Sequence, residues 1–257
     1  MEDLTPYLQP LGLSAWRYYS TVTSTNDAAL AWARQGAQDW SLVIADAQSA
    51  GRGRAGRSWV TEPGCSLAVS LILRLQPVEH PSFQRFAALG ALGLIRAFAG
   101  LGLTAQLKWP NDVLLDGKKV AGVLVEADWL SDKAAFVVIG MGVNISPDSI
   151  PPIDRLRYPA TAVELGLDRP VDRWALLADT LGSIRKYRFD LVEETFIQAW
   201  NDALAFRNTW VRFRQPGMDA QIVKVLGVHP DGQLALELES NRRLDVSTGE
   251  ILMIGEG

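Results

Sequence analysis

The sequence predicts an α+β fold, in which a mixed and largely antiparallel sheet packs against helices and a small all-β, barrel-like unit follows. Three observations predict it. Strands and helices do not alternate as a repeated βαβ wheel. Three strand-like runs crowd between Thr104 and Ala127, with Asp116-Gly117 as a hairpin signal between the last two. After Asn208 the helical pattern gives way to short strands punctuated by Pro-Gly and Asp-Gly turns. A length of 257 residues suits one large domain, 1–207, and one small one, 208–257.

The elements follow in order. Ser14 to Val22 reads as a short strand, and Ser24-Thr25-Asn26-Asp27 offers N-cap residues for an alanine-rich helix that stops near Gly36. Leu42–Ala45 is a buried strand, Gln48–Ser58 a Gly/Arg/Ser loop, and Ser66–Leu75 a further strand. Phe83 to Leu101 places Phe86, Leu89, Leu92, Leu94 and Phe98 at helical spacing and ends at Gly100 and Gly102. Strands are expected over Thr104–Trp109, Asp112–Asp116, Lys119–Ala127 and Ala134–Val143, then a proline-broken loop through Pro147, Pro151 and Pro152. Helical patterns fill Thr161 to Phe206, and strands Trp210–Arg214, Ala220–Val228, Gln233–Leu238 and Ile251–Ile254 close the chain.

Composition narrows the chemistry. Hydrophobic residues at 48% and charged residues at 21% exclude wholesale disorder and fibrous classes. One cysteine, Cys65, makes no internal disulfide, and His80 and His229 alone do not support an imidazole-rich metal centre. A net charge of −4 argues against a general nucleic-acid binder. Met1–Leu13 shows no basic segment leading into an apolar run, and no apolar window is long enough to span a bilayer, so a cytoplasmic protein is expected.

Two clusters stand out. Gln48 to Trp59 contains Gly51, Gly53 and Gly56 in the spacing G-x-G-x-x-G after a strand. A dinucleotide-binding loop would open a helix, but Val60-Thr61-Glu62-Pro63-Gly64 follows Trp59, which removes a nicotinamide-linked oxidoreductase from consideration. Arg52, Arg54 and Arg57 supply forked, permanent charges, and the glycines let backbone amides close on a polyanion. The alternative is a solvated basic loop.

The second cluster is Lys108-Trp109-Pro110-Asn111-Asp112 with Lys118-Lys119-Val120-Ala121-Gly122 and Glu126, which holds three of the chain's six lysines. A hairpin at Asp116-Gly117 brings Lys108 and Asn111 toward Lys119, a point charge suited to a phosphate or a developing oxyanion. Lys118 reads as an ordinary turn residue, and Gly122 as room for close approach of a ligand. Ser24, Thr25 and Asn26 are either a helix cap or donors and acceptors for a neutral polar head group. Gly140-Met141-Gly142-Val143-Asn144 is either a turn or a backbone platform, and Trp59 and Trp109 are either core or platform residues.

Taken in order, Ser24-Thr25-Asn26, the Gly51–Trp59 run, Lys108–Asp112, Lys119–Gly122 with Glu126, and Gly140–Asn144 resemble the motif set of biotin protein ligases. Gly249-Glu250-Ile251 resembles the family's C-terminal domain. The resemblance implies a class II synthetase-like catalytic domain with an SH3-like barrel. It implies that biotin and Mg-ATP form biotinyl-5′-AMP, whose acyl group passes to a lysine on a biotin carboxyl carrier domain, and it admits a homodimer.

By the same resemblance Ser24, Thr25, Asn26, Gln48, Gly51, Arg52, Gly53, Arg54, Lys119 and Gly122 would bind biotin. Arg54, Arg57, Trp59, Lys108, Asn111 and Asn144 would bind nucleotide, Lys119 and Arg52 would be catalytic, and no residue is assigned to a metal. The segment Arg157–Ala162 lacks the adenine-stacking tryptophan of some members, leaving Tyr158 as the candidate there. Ser24 stands too near the start for a helix-turn-helix module, so DNA regulation is not expected. A lipoate or octanoate ligase is the nearest rival, and an RNA- or nucleotide-binding module is the rival from another class.

Overall fold

The computed structural model describes residues 3–130, 133–156 and 158–252. Arg157 and the end of the strand expected over 251–254 lie outside the described residues. In chain order the elements are α1 (Thr5–Leu8), β1 (Ala15–Val22), α2 (Thr25–Arg34), β2 (Ser41–Gln48), β3 (Ser66–Arg74) and α3 (Arg85–Gly100). Then come β4 (Ala105–Lys108), β5 (Asp112–Leu115), β6 (Lys118–Leu130), β7 (Lys133–Asn144), α4 (Val163–Leu167), α5 (Arg173–Phe189) and α6 (Glu194–Ala203). The strands β8 (Trp210–Arg214), β9 (Gln221–Val228), β10 (Leu234–Leu238), β11 (Arg243–Val246) and β12 (Glu250–Leu252) complete the order.

Seven strands form one sheet in the order β1-β2-β3-β7-β6-β5-β4, and only β1 and β2 run parallel. The mixed, largely antiparallel sheet expected from the sequence is therefore present. The β5–β6 hairpin turns at Asp116 and Gly117, whose φ values of 48° and 72° suit a type I′ turn. That turn aligns Asp112 with Gly122 and Val113 with Ala121, and so brings the two halves of the lysine-rich cluster side by side.

Both faces of the sheet centre are covered, which explains why β3 is buried along nearly its whole length rather than alternating. Ala29 and Ala33 of α2, with nearby Ala37, pack on Val43, Ile72 and Val138. On the other face Leu42, Ile44, Leu71, Leu73 and Ile139 meet α3, α5 and α6 in the main core. The helical stretch expected over Thr161–Phe206 is three helices. Asp168 takes a left-handed conformation after α4, and Asp172 caps α5 through the Trp174 and Ala175 amides.

A second, five-stranded antiparallel sheet has the order β11-β10-β9-β8-β12. The strand β11, Arg-Leu-Asp-Val, was not expected, because two charged residues in four obscure its alternation. We propose the domain division at 207/208, where helices give way to strands. Phe213, Val225 and Leu236 nevertheless join the main core. Trp109, 2% exposed, donates from Nε1 to the Gly232 carbonyl at 3.1 Å and tilts against the Phe213 ring at 6.4 Å between centroids. It is a core residue that ties the β4–β5 connection to the second sheet.

Among the described residues, no helix is long and apolar enough to cross a membrane. Trp109→Ala should cost about 3–5 kcal/mol, by the lost transfer energy and the cavity left behind. Urea denaturation measures this, and a cost below about 1 kcal/mol would contradict the anchoring role.

Candidate active site

The site forms where the first turn of α2 meets the sheet. Ser24 occupies the N-cap position of α2, but its side chain makes no capping bond. Gln48, at the end of β2, supplies the cap: its Oε1 accepts from the Thr25 amide at 2.8 Å and from Thr25 Oγ1 at 3.1 Å, while its Nε2 donates to Thr61 Oγ1. The cap reading of the Ser-Thr-Asn run is thus corrected. Its side chains are freed for the sheet face because an amide from another strand satisfies the helix end.

Ser70, a fully buried hydroxyl in the middle of β3's apolar run, lies 2.6 Å from Asn26 Oδ1 and 2.9 Å from Thr25 Oγ1. Asn26 Nδ2 donates onward to Glu126 Oε2 at 2.7 Å. The result is a continuous polar floor, Thr61–Gln48–Thr25–Ser70–Asn26–Glu126, beneath an otherwise apolar sheet.

Glycines make room for this floor and its lid. A Cβ at Gly140 would sit 2.1 Å from Asn26 Oδ1, and one at Gly142 would sit 2.3 Å from the Trp59 ring. Both glycines lie inside β7, so the turn reading is corrected, and their space holds Asn26 and Trp59. A Cβ at Gly122 would meet both Lys119 and Trp59 at 3.3 Å. Trp59 is therefore a wall laid on two glycines. Gly51 is buried as well, with the Trp59 carbonyl 2.4 Å from where its Cβ would stand.

The cations come next. Arg52 lies 2.9 Å from each Glu126 oxygen and is also paired with Asp27 of α2. Against the penalty of lost hydration, these carboxylates hold its guanidinium above the usual arginine range. Lys119 pairs with Asp112 at 2.7 Å and lies 5.5 Å from the Trp59 ring centroid. Arg57 pairs with Glu250 of β12 at 2.8 Å.

Two cations have no ion pair among the described residues. Arg54 makes only a long 3.4 Å contact with Asn111 Oδ1. The residue is exposed overall, yet desolvation of its guanidinium, with Arg57 nearby, pushes it below the usual arginine value despite Asp112. Lys108, 3% exposed, rests its Nζ 3.6 Å from the centroid of the Tyr158 ring. Burial pushes its ammonium below the usual lysine value, although Asp112 and Glu250 pull the other way.

These groups border four clefts; one of about 400 Å³, lined by Arg52, Arg54 and Glu126 among others, faces Phe83 and Gln84, and the other three meet around Asp112. Of these three, the first, about 100 Å³, is lined by Ser24, Thr25, Asn26, Gln48, Arg52, Trp59 and Lys119 among others, Gly53 and Gly122 included. The second, about 560 Å³, holds Lys108, Asn144, Tyr158 and Leu156. Both share Arg57, Ser58, Trp59, Asp112 and Lys119 as a common wall. The third, about 230 Å³, opens toward the second sheet.

Every residue singled out in the sequence thus falls at or beside one junction, and Trp109 alone belongs to the core. The carboxylate partner Asp27, the buried Ser70, and Arg214 on the third cleft escaped sequence reasoning. A serine in the middle of an apolar strand was the signal for Ser70. Asn111 Nδ2 donates to the Val123 carbonyl at 2.7 Å and Asn144 Nδ2 to the Thr161 carbonyl at 3.0 Å, so both amides also brace the walls. Arg52 and Arg57 are bound by carboxylates, while Arg52, Arg54, Ala55, Gly56 and Ser58 remain exposed.

Residues 18–144 match the model of the biotin/lipoate A/B protein ligase family. The bifunctional ligase/repressor BirA of Bacillus spizizenii is 32% identical over 227 residues, covering 86% of this chain and 69% of that protein. The biotin–[acetyl-CoA-carboxylase] ligase of Paracoccus denitrificans is 35% identical over 198 residues, covering 73% of this chain and 76% of that one. Among solved structures, the biotin protein ligase of Aquifex aeolicus in complex with biotin and ATP superposes with a TM-score of 0.75 at 24% identity, over 94% of this chain and 99% of that chain. The last comparison bears on fold, and the first three on descent. The chain belongs to the biotin/lipoate A/B protein ligase family.

Proposed function

We propose that this chain is a cytoplasmic biotin protein ligase, which condenses biotin with ATP to biotinyl-5′-AMP and passes the acyl group to a lysine of a carboxylase's biotin carboxyl carrier domain. The carrying observation is that two clefts of different character share one cationic wall around Lys119. A carboxylic acid in one and a nucleotide in the other would meet there.

Roles follow from chemistry. Thr25, Asn26 and Gln48 of the polar floor, with Ser24 beside them on the cleft lining, suit the ureido group of biotin, which both donates and accepts hydrogen bonds. Gly51, Gly53 and Gly122 let the acid lie close to backbone, with its carboxylate toward Arg54 and Lys119; Arg52, catalytic by the resemblance, is already held by Asp27 and Glu126, and we assign it to fastening the loop beside the acid. The first cleft is small beside ordinary ligand pockets of about 300–1,000 Å³, so the loop must shift outward to admit biotin and close again over the adenylate.

Attack of a carboxylate on an α-phosphate brings like charges together. Lys119 and Arg54 offset that repulsion without competing as nucleophiles. Lys108, Asn111, Asn144, Arg57 and Trp59 border the nucleotide. Lys108 already occupies a face of Tyr158, so adenine stacking on Tyr158 would need the other face. Mg²⁺ would arrive with ATP as its counter-ion. Asp112 offers one carboxylate oxygen outside its Lys119 pair, which suits an ion that keeps most of its water.

A lipoate-type ligase is the second reading, because the family includes both. The polar floor disfavours it: an apolar dithiolane ring would leave buried donors and acceptors unpaired.

Three outcomes test the reading. ATP–pyrophosphate exchange should be supported by biotin over lipoate by a factor of about 10⁴, the discrimination typical of a site built to hydrogen-bond its ligand; comparable rates would overturn the choice of acid. Lys119→Ala should lower biotin-dependent exchange about 100- to 1,000-fold, while its melting temperature moves by no more than about 4 °C. Wild-type exchange in that variant would remove Lys119 from catalysis. Lys108→Met should lose exchange yet unfold at higher denaturant at pH 7, because the buried ammonium carries a cost whenever it is charged. With its folded value depressed, that cost fades as pH rises toward the ordinary lysine value of 10.5, so the gain should shrink there. A gain that grows with pH would contradict the assignment.

A further inference from the structure

We propose that Ser70 of β3, which borders none of the four clefts, is a specificity-determining positioning residue. It fixes the direction of the hydrogen bonds in the polar floor, so that Thr25 offers the acid only lone pairs and the head group must bring an N–H. This deepens the ligase reading and rests on it. Ser70 is fully buried, and its register partner on β7 is Gly140. The space that a Cβ would fill at Gly140 holds Asn26 Oδ1, which lies 2.6 Å from the Ser70 hydroxyl.

The direction follows from groups that can only accept or only donate. The Leu124 carbonyl, 3.3 Å from Asn26 Nδ2, and the Glu126 carboxylate, 2.7 Å from it, are acceptors, so the NH2 end of Asn26 faces them and Oδ1 faces Ser70. Because Oδ1 accepts, the single Ser70 proton goes to it. At the other end of the floor the Thr25 amide donates to Gln48 Oε1, which turns Gln48 Nε2 toward Thr61 Oγ1. The Thr25 hydroxyl stands between Ser70 Oγ at 2.9 Å and Gln48 Oε1 at 3.1 Å. Neither of those oxygens has a proton to give it. Thr25 therefore donates inward, and its lone pairs are what remains for the cleft it lines.

Ser70 enforces this arrangement. Were the Thr25 proton to swing into the cleft, two hydroxyl oxygens 2.9 Å apart would face each other with lone pairs, because the Ser70 proton is held by Asn26. In a buried network no water relieves that contact. A ligand that presents only acceptors to Thr25 thus meets an oxygen that does not turn to suit it. A cyclic urea carries an N–H on either side of its carbonyl and satisfies Thr25 by donating. A ring oxygen or sulfur at the same place sets lone pair against lone pair, which rejects the ligand as well as failing to hold it. Gln48 alone enforces this less, since its Oε1 is already taken by the Thr25 amide at 2.8 Å and its hydroxyl contact is the longer one.

The test is kcat/KM for the acid in ATP–pyrophosphate exchange, in the full chain, with biotin and with its two cyclic carbamate analogues, in which one or the other ureido N–H is replaced by a ring oxygen. The variants are Ser70→Ala, Ser70→Cys and the control Thr180→Val, which removes a buried hydroxyl that donates to the Leu176 carbonyl within α5. The wild type should prefer biotin over at least one carbamate by about 100-fold or more, as a site built to hydrogen-bond its ligand does. Ser70→Ala should narrow that preference at least about tenfold, the scale of one hydrogen bond, and leave the KM for ATP unmoved. Ser70→Cys, with a weaker donor and acceptor at the same place, should fall between the two. Thr180→Val should keep the wild-type preference. A narrowing in Ser70→Ala of less than about tenfold would overturn the inference. So would an equal narrowing in Thr180→Val, or a wild type that uses biotin and both carbamates alike. A wild-type chain with no biotin-dependent exchange would instead overturn the ligase reading, and this inference with it.

Discussion

Five cations crowd around one junction, and their mutual repulsion is the constraint on which the rest of the site depends. At an effective dielectric of 20, two unit charges some 8 Å apart repel by about 2 kcal/mol. The fold answers with carboxylates placed one element away: Asp27 and Glu126 for Arg52, Asp112 for Lys119, and Glu250 for Arg57. Arg54 and Lys108 are left over, and they are the two cations of the site whose proton affinity is pushed down. Among the described residues these two have no carboxylate partner, whereas Arg52, Arg57 and Lys119 each have one or more.

The carboxylates come from four places, α2, β5, β6 and β12, which is why the large sheet and the second sheet must both be in position. Trp109 links them through the Gly232 carbonyl and the Phe213 ring. Beneath the cations, the hydrogen-bonded floor from Thr61 to Glu126 joins the polar end of the acid cleft to the carboxylate that holds Arg52. Asn26 touches both Ser70 and Glu126.

Much of this was legible in the sequence. Hydrophobic period and turn chemistry located the strands of the large sheet and the long helix α3, because burial on one or both faces writes itself into residue spacing. The Asp116-Gly117 turn was enough to bring Lys119 beside Lys108 and Asn111. What stayed hidden were relations across the chain. Nothing local marks Asp27 as the partner of Arg52, since an acidic residue in a first helical turn is ordinary. Gly140 and Gly142 looked like a turn, although they are strand residues that yield space to Asn26 and Trp59. Ser24 to Asn26 looked like a cap because the true cap, Gln48, lies on another strand. Arg214 gave no signal, as an arginine at the end of a short strand usually faces water.

The loop's arginines differ in their surroundings: Arg52 is clasped by Asp27 and Glu126, whereas Arg54 has no carboxylate partner among the described residues. The most direct measurement compares biotin-dependent ATP–pyrophosphate exchange in Arg54→Gln and Arg52→Gln under saturating substrates. The account predicts a loss of about 100-fold or more for Arg54→Gln, the scale of a lost transition-state contact, and less than about tenfold for Arg52→Gln. Equal losses, or the reverse order, would contradict it.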